Sequence, residues 1–360
     1  MKLVFVTQEL DPAHGALAQS LDLVDALSRR VDELAVVTRA LRADVPANVR
    51  AAEFDAPTQL RRGVAFERAL IPSLRGADAV FVHMVPQFAL LAAPAAKLRR
   101  LPLLLWYTHW NAGRPLRLAL PLVDAVVSVD QSSFPLSTPK LHGIGHAIDV
   151  DRFSASPPAP HDGPLRLLAL GRTARWKGLA TLLDALALVE QDVRLEIRGP
   201  SLTDDERAHR DEIARRIREE ELPAEVLEPV ARDAVPALLA RADVVVSPNQ
   251  PRAGSTLDKA VFEAAACARP VISTNSAFGP LLANAGVPLL APPNDARGLA
   301  DAIAAVAAAG TTARARAGTV LRERVVAGHS LDHWADAVVA LVREVRSSGE
   351  TAGTAGTTAD

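Results

Sequence analysis

Apolar runs recur along this chain at 3–6, 34–37, 79–83, 103–107, 125–129, 165–170 and 244–246, and stretches of helical periodicity lie between them. A strand with one face in water alternates apolar and polar residues, whereas a run apolar at nearly every position is covered on both faces. Strands of that kind, each followed by a helix, predict parallel sheets with helices on both sides. In the first half, Leu17, Leu21, Val24, Ala26 and Leu27 fit a helix. Further helices are expected over 88–98 and from about Ser132, with a short strand at 141–144 and a less regular stretch between 38 and 78. In the second half strands are expected at 165–170, 194–198, 226–227, 244–246, 270–273 and 287–290. Helices are expected at 179–189, 204–221, 234–240, 257–267 and from 296 onward.

The Pro-, Ser- and Gly-rich stretch after Asp151 breaks all periodicity. At 360 residues the chain is also larger than a single core usually grows. The expected organisation is therefore an α/β chain of two Rossmann-like domains facing each other across a cleft. They span 1–151 and 165–330, joined by a linker over 152–164. A helix over 331–346 can pack back on the first domain, and 347–360, which has no apolar anchor, is expected to be disordered.

A net charge of -2 makes no case for nucleic acid. One cysteine, Cys267, excludes an internal disulfide and CxxC metal sites and fits a reducing compartment. The N-terminal apolar run is too short for a signal sequence, and no run reaches the length of a spanning helix. A cytoplasmic protein is expected, with at most peripheral contact at the inner face of a membrane. Arg99, Arg100, Arg114 and Arg117 could form a basic face toward anionic lipid, although four cations are more simply read as a solvated surface.

The stretch 242–275 reads as strand, loop, helix, strand, and inside its helix Glu263 is surrounded by Ala260, Val261, Phe262, Ala264, Ala265, Ala266 and Cys267. A charge buried without a partner costs several kcal/mol. Either Lys259 one turn earlier supplies that partner, or Glu263 points into a cleft and accepts hydrogen bonds from a ligand's hydroxyls. Between strand 165–170 and its helix lies Gly171-Arg172-Thr173-Ala174-Arg175-Trp176-Lys177-Gly178, where backbone amides and a helix start can collect an anion. Its three cations have no carboxylate nearby in sequence. The loop lacks the spacing of a Walker A motif, and the first loop, around Gly15, lacks GxGxxG.

The succession Gly171-Arg172, Lys177-Gly178, Ile197-Arg198-Gly199, Ala242-Asp243, Ser247-Pro248 and Phe262-Glu263-Ala264-Ala265-Ala266-Cys267-Ala268-Arg269-Pro270 resembles the donor half of GT-B glycosyltransferases of the family 4 type, also described as glycosyl transferases group 1. Asp11-Pro12-Ala13-His14-Gly15, Ala77-Asp78-Ala79-Val80-Phe81-Val82-His83 and Gly145-His146-Ala147-Ile148-Asp149 agree more loosely in the first half. The resemblance implies a retaining, metal-independent, hexosyltransferase-like enzyme that needs no cofactor. It would move a sugar from a nucleotide-diphosphate sugar to a carbohydrate, lipid-linked or small-molecule acceptor. Arg172 and Lys177 would hold the diphosphate, Glu263 the ribose, and His109 would stand near the transferred sugar. Gly15, Gly171, Gly199, Gly254, Ser255, Thr256 and Leu257 would complete the donor site.

The chain departs from that pattern at the position eight residues before Glu263, where the family usually has glutamate and this sequence has Ser255, and where Thr256-Leu257-Asp258 replaces Gly-Phe-Gly. Donor contact there would fall to backbone amides of 255–257. Ala147 and Ala268 stand where glycine is frequent. Trp106 reads as core, and Trp110, past the strand end, as a residue that could stack on an acceptor sugar. His83, among apolar residues, reads as structural. Asp149-Val150-Asp151 spells DxD but sits at a domain end and reads as a turn and cap. Two alternatives remain at this level. One is a nucleotide-sugar epimerase, for which Glu9, Asp11 and Asp130 are the available loop carboxylates; the other is a non-catalytic nucleotide-sugar-binding relative.

Overall fold

The computed structural model describes residues 1–12, 19–155, 161–250 and 257–355, with 349–355 as backbone only. It divides into two compact units, Met1–Ala147 with Ser330–Asp360, and Ile148–His329. Gly15, Gly254, Ser255 and Thr256 fall outside the described residues.

The first unit runs β1 (Lys2–Leu10), α1 (Gln19–Ser28), β2 (Glu33–Leu41), β3 (Val49–Glu53), α2 (Gln59–Ser73), β4 (Ala79–His83), α3 (Pro86–Leu98), β5 (Leu103–Trp106), α4 (Arg114–Ala119), β6 (Ala125–Ser128) and β7 (Leu141–Gly143). The second runs β8 (Leu165–Leu170), α5 (Leu179–Leu186), β9 (Val193–Arg198), α6 (Asp204–Glu219), β10 (Ala224–Leu227), α7 (Val235–Arg241), β11 (Val244–Ser247), α8 (Lys259–Ala266), β12 (Val271–Ser273), α9 (Gly279–Leu282), α10 (Ala296–Ala308) and α11 (Gly310–His329). The last helix, α12 (Leu331–Ala355), belongs to the first unit and extends past 346. No helix among the described residues is long and apolar enough to cross a membrane.

Each unit has one parallel sheet, in the orders β3-β2-β1-β4-β5-β6-β7 and β10-β9-β8-β11-β12. The strand order reverses between β1 and β4 and between β8 and β11, and ligands of open parallel sheets bind at the carboxyl ends of the strands beside such a switch point. Alternate β1 residues go to opposite faces: Leu3 and Phe5 pack under α1 and α12, whereas Val4 and Val6 pack under α2, α3 and α4. Trp106 lies 4.7 Å from Trp334 of α12, and its neighbour Tyr107 faces the other layer.

Three local expectations are corrected. The stretch expected to be irregular contains β3 and α2, which Gly63 and Pro72 disguise in sequence and which buries only Phe66, Ala69 and Leu70. The helix expected from Ser132 is one 3-10 turn, Gln131–Ser133, because Asp130 caps the Ser133 amide at 2.9 Å and Pro135 follows. The strand expected at 287–290 is a single bridge from Leu290 to Ser273, in a segment broken by Pro288 and Pro292. The α4 helix had no counterpart in the sequence reading. Asp149 does cap a turn, accepting from the amides of Asp151 at 3.2 Å and Arg152 at 2.9 Å. Arg322 of α11 donates to the carbonyls of Val150 at 3.3 Å and Phe153 at 3.0 Å, tying these residues to the second unit. Ala147 and Ala268 adopt left-handed φ of 57° and 56°, so alanine holds a conformation that glycine takes at lower cost.

His83 ends β4 at the first switch point, 3.0 Å from Thr7 Oγ1 and stacked on Phe5. Burial lowers its pKa from 6.5 to about 4, so it is neutral in the folded protein and takes up a proton more readily when unfolded. Stability is then fully present above pH 6.5 and falls as pH drops from 6.5 toward 4. His83→Gln is expected to flatten that part of the pH dependence in chemical denaturation; an unchanged slope would refute the assignment.

Candidate functional site

At the carboxyl end of β8 the chain turns through Gly171, with φ 148°, and returns through a 3-10 turn, Arg175–Lys177, to the start of α5. Gly178 links that turn to the helix with φ 69°, and a Cβ there would lie 1.8 Å from Pro248 O. At Gly199 a Cβ would lie 1.7 Å from Gly171 O. The loops after β8, β9 and β11 therefore approach one another too closely for any side chain at 178 or 199.

This close approach forms a pocket lined by Gly171, Arg172, Lys177, Ser247, Asn249 and Asp258. Lys177 is only 10% exposed, with its ammonium 4.7 Å from the Trp176 ring centroid and bonded to Asp258. Asn249 Nδ2 reaches the same carboxylate oxygen at 3.5 Å. Asp258 stands at the N-cap of α8 yet makes no capping bond, so its carboxylate serves the pocket instead of its own helix. Leu257, just before it, is buried.

Arg172 pairs through Nε and Nη2 with Glu206, which is 5% exposed, and stays 43% exposed itself. Burial pushes the Glu206 pKa up, but the Leu202 amide, at 2.6 Å, and Arg172 outweigh it and hold the group below the usual carboxylate range. Arg175 meets Glu212 at 3.0 Å and Asp205 at 3.5 Å. All three loop cations thus find carboxylates from distant parts of the sequence, which the loop by itself does not reveal.

Glu263 is buried in α8, and its Oε1 lies 3.4 Å from Lys259 Nζ and 3.5 Å from Arg232 Nη1. The Lys259 pair was foreseeable from the spacing; Arg232, contributed from the segment before α7, was not. Despite these two cations, Oε1 accepts no hydrogen bond from the described residues. Cys267 is buried beside it, and burial pushes the thiol up to about 12, which makes it unreactive.

His109 and Trp110 lie in the first unit, beyond the carboxyl end of β5, exposed and stacked with centroids 5.2 Å apart. Asn111 N–H donates to His109 Nδ1 at 3.1 Å, which leaves the proton of the neutral ring on Nε2, and partial burial lowers the ring's pKa. Among the described residues no group of three or more His, Cys, Asp or Glu could hold a metal ion. A larger pocket, about 420 Å³, lies at the amino end of the second sheet. Its buried carboxylate, Asp243, is already held by Arg166 N at 2.8 Å, Arg166 Nη2 at 2.9 Å and His161 Nε2 at 2.8 Å. It is the poorer ligand site.

Residues 164–309 match the family model described as glycosyl transferases group 1. A comparison with curated proteins gives no significant match. Among solved structures the chain is similar to sucrose-phosphate synthase (tll1590) from Thermosynechococcus elongatus, with TM-score 0.74 and 18% identity over 96% of this chain and 99% of that one. It is also similar to Anabaena Alr3699/HepE in complex with UDP and glucose, with TM-score 0.73 and 19% identity over 95% and 99%. A glycosyltransferase from Rickettsia africae gives TM-score 0.76 and 15% identity over 96% and 98%. At these identities the structural likeness fixes the fold, which is GT-B. The epimerase alternative gains no support from these comparisons.

Proposed function

We propose that this chain, whose residues 164–309 match the glycosyl transferases group 1 model, transfers a sugar from a nucleotide-diphosphate sugar to an acceptor hydroxyl. The observation that carries this reading is Glu263 Oε1, a buried carboxylate oxygen beside two cations that accepts no hydrogen bond. A buried carboxylate oxygen that accepts no hydrogen bond from the described residues fits a donor from outside the protein, and the hydroxyls of a ribose are such donors.

In this reading Lys177 and Arg172 meet the diphosphate at the β8 and β11 carboxyl ends, and Gly171 and Gly199 let the backbone approach it. Gly15, Gly254, Ser255 and Thr256 remain part of the proposed donor site by sequence alone, with Leu257 beside them. The acceptor oxygen bonds to the anomeric carbon as the carbon–phosphate oxygen bond breaks. Its proton passes to the departing phosphate oxygen, and Lys177 stabilises the charge that collects there. Transfer is proposed to retain the anomeric configuration. With side-chain cations meeting the charge, no metal is invoked. His109 is proposed to face the transferred sugar and Trp110 the acceptor. A single cysteine and no disulfide suit a cytoplasmic setting.

A thermal-shift panel of nucleoside diphosphates and nucleotide-sugars tests this. UDP and UDP-glucose head the panel because a structurally similar protein was solved with each. A ligand at a hundred times its Kd adds about 2.7 kcal/mol of apparent stability. Glu263→Ala is expected to weaken binding by at least ~10-fold, as loss of hydrogen bonds to a charged acceptor implies, while the unliganded protein melts as before. Normal binding by Glu263→Ala would remove the ribose assignment, and a wild type that responds to no nucleotide would remove the function.

A further inference from the structure

The layer formed by α2, α3 and α4 has an outer surface unlike the rest of the molecule. Between residues 59 and 122 the chain has nine Lys and Arg against two acids, Glu67 and Asp78, although its overall net charge is -2. Elsewhere most arginines are spent on carboxylates, as at Arg172, Arg175, Arg198 and Arg216. Among the described residues only Arg62 here has an acid partner, Asp55 at 3.5 Å. Among the described residues Arg61, Arg68, Arg75, Lys97, Arg100 and Arg114 form no ion pair, and Arg99 and Arg117 bond only to backbone carbonyls. Asp78 is turned to Arg346 and the Lys2 amide.

The same segment holds seven of the eleven large apolar side chains that are exposed among the described residues. Leu98 is 84% exposed, Leu60 82% and Leu118 60%. Three of the seven, Ile71, Leu98 and Leu118, come together for a topological reason, whereas Leu60 at the start of α2 and Trp110 beyond β5 lie toward the other end of the layer. The α3 helix packs against both α2 and α4, and all three bury their inner sides in one core. Each helix runs back along the sheet, so the ends of α2, α3 and α4 meet at the amino ends of the strands. That brings Ile71 and Arg75, Leu98 with Arg99 and Arg100, and Arg117 with Leu118 to one end of the layer.

We propose that this end of the α2–α3–α4 layer docks on an anionic lipid bilayer, with the leucines entering the interface and the unpaired cations meeting lipid phosphates. Exposed aliphatic side chains cost free energy in water and recover it in acyl chains. Cations with no internal carboxylate partner complement an anionic headgroup layer. A nucleic acid would call for stacking aromatics, and the exposed aromatic of this segment, Trp110, lies at the opposite, carboxyl end of the strands. The proposal does not depend on the nucleotide-sugar reading.

Co-sedimentation of the full chain with vesicles tests it. Binding is expected to equal parts of phosphatidylcholine and phosphatidylglycerol, to fall with added salt, and to be absent with phosphatidylcholine alone. Arg99→Gln combined with Arg100→Gln should weaken binding ~30-fold, at about 1 kcal/mol per cation near the surface. Leu98→Ser combined with Leu118→Ser should weaken it at least ~10-fold. Both double variants should keep the wild-type melting temperature, since all four side chains are exposed. Protein that stays in the supernatant with both vesicle types overturns the proposal. So does self-association through this face without vesicle binding, or leucine variants that bind as the wild type does.

Discussion

Lys177→Ala is expected to lower the affinity for the best-binding nucleoside diphosphate on the order of 100-fold or more. One charge-assisted hydrogen bond accounts for about 1.5–3 kcal/mol, or roughly 10- to 150-fold. A second effect adds to it. The Lys177 ammonium is nearly buried and neutralises Asp258 inside the pocket. Removing it leaves that carboxylate facing the incoming phosphate, so a pair that is neutral overall becomes a lone negative charge. Asp258→Asn should act in the opposite direction. A phosphate that binds Lys177 must compete with the Asp258 carboxylate, and relieving a partly exposed pair worth about 1 kcal/mol should tighten binding ~5-fold. The double variant should recover part of what Lys177→Ala loses. Titration calorimetry on the three variants reads all of this; unaltered affinity in Lys177→Ala, or weaker binding in Asp258→Asn, would show that the phosphate lies elsewhere.

Gly178→Ala is the second large effect, and it acts on the fold. Alanine in the left-handed region costs roughly 1–2 kcal/mol by itself. At position 178 the new methyl would also lie 1.8 Å from Pro248 O, and a backbone carbonyl cannot turn aside as a side chain can. The loop after β11 must move, and it moves one wall of the pocket with it. A cost on the order of 3 kcal/mol or more is expected, read as a Tm lower by roughly 6–12 °C for a unit of this size. Gly310→Ala is the internal control. Gly310 has a comparable φ of 76° but nothing within 4 Å of its Cβ position, so only the conformational cost applies. Calorimetric melting of the two variants separates the terms. Equal losses would mean that the approach of Gly178 to Pro248 does not constrain the loop.

What could be read from the chain and what could not divide along a physical line. The buried strands β1, β4, β5, β6, β8 and β11 were legible because a strand covered on both faces must be apolar almost throughout, and that requirement is local. Helix α2 was not legible, since it meets the core through three buried residues and carries Gly63 and Pro72 inside a polar sequence. The likeness of the second half to a glycosyltransferase family was written in its glycines and in Glu263, and the 178 and 199 glycines prove to be places where backbone meets backbone. Sequence alone therefore determined the α/β class, the parallel sheets and the residue types gathered at the β8 loop. Tertiary structure alone decided their partners: Glu206 for Arg172, Asp258 for Lys177, Arg232 beside Glu263. Whether a strand can be covered on both faces is set by its own residue types. Ion pairing between residues 34, 81 or 31 positions apart exists only after the strands have been placed in order, and no local pattern encodes it.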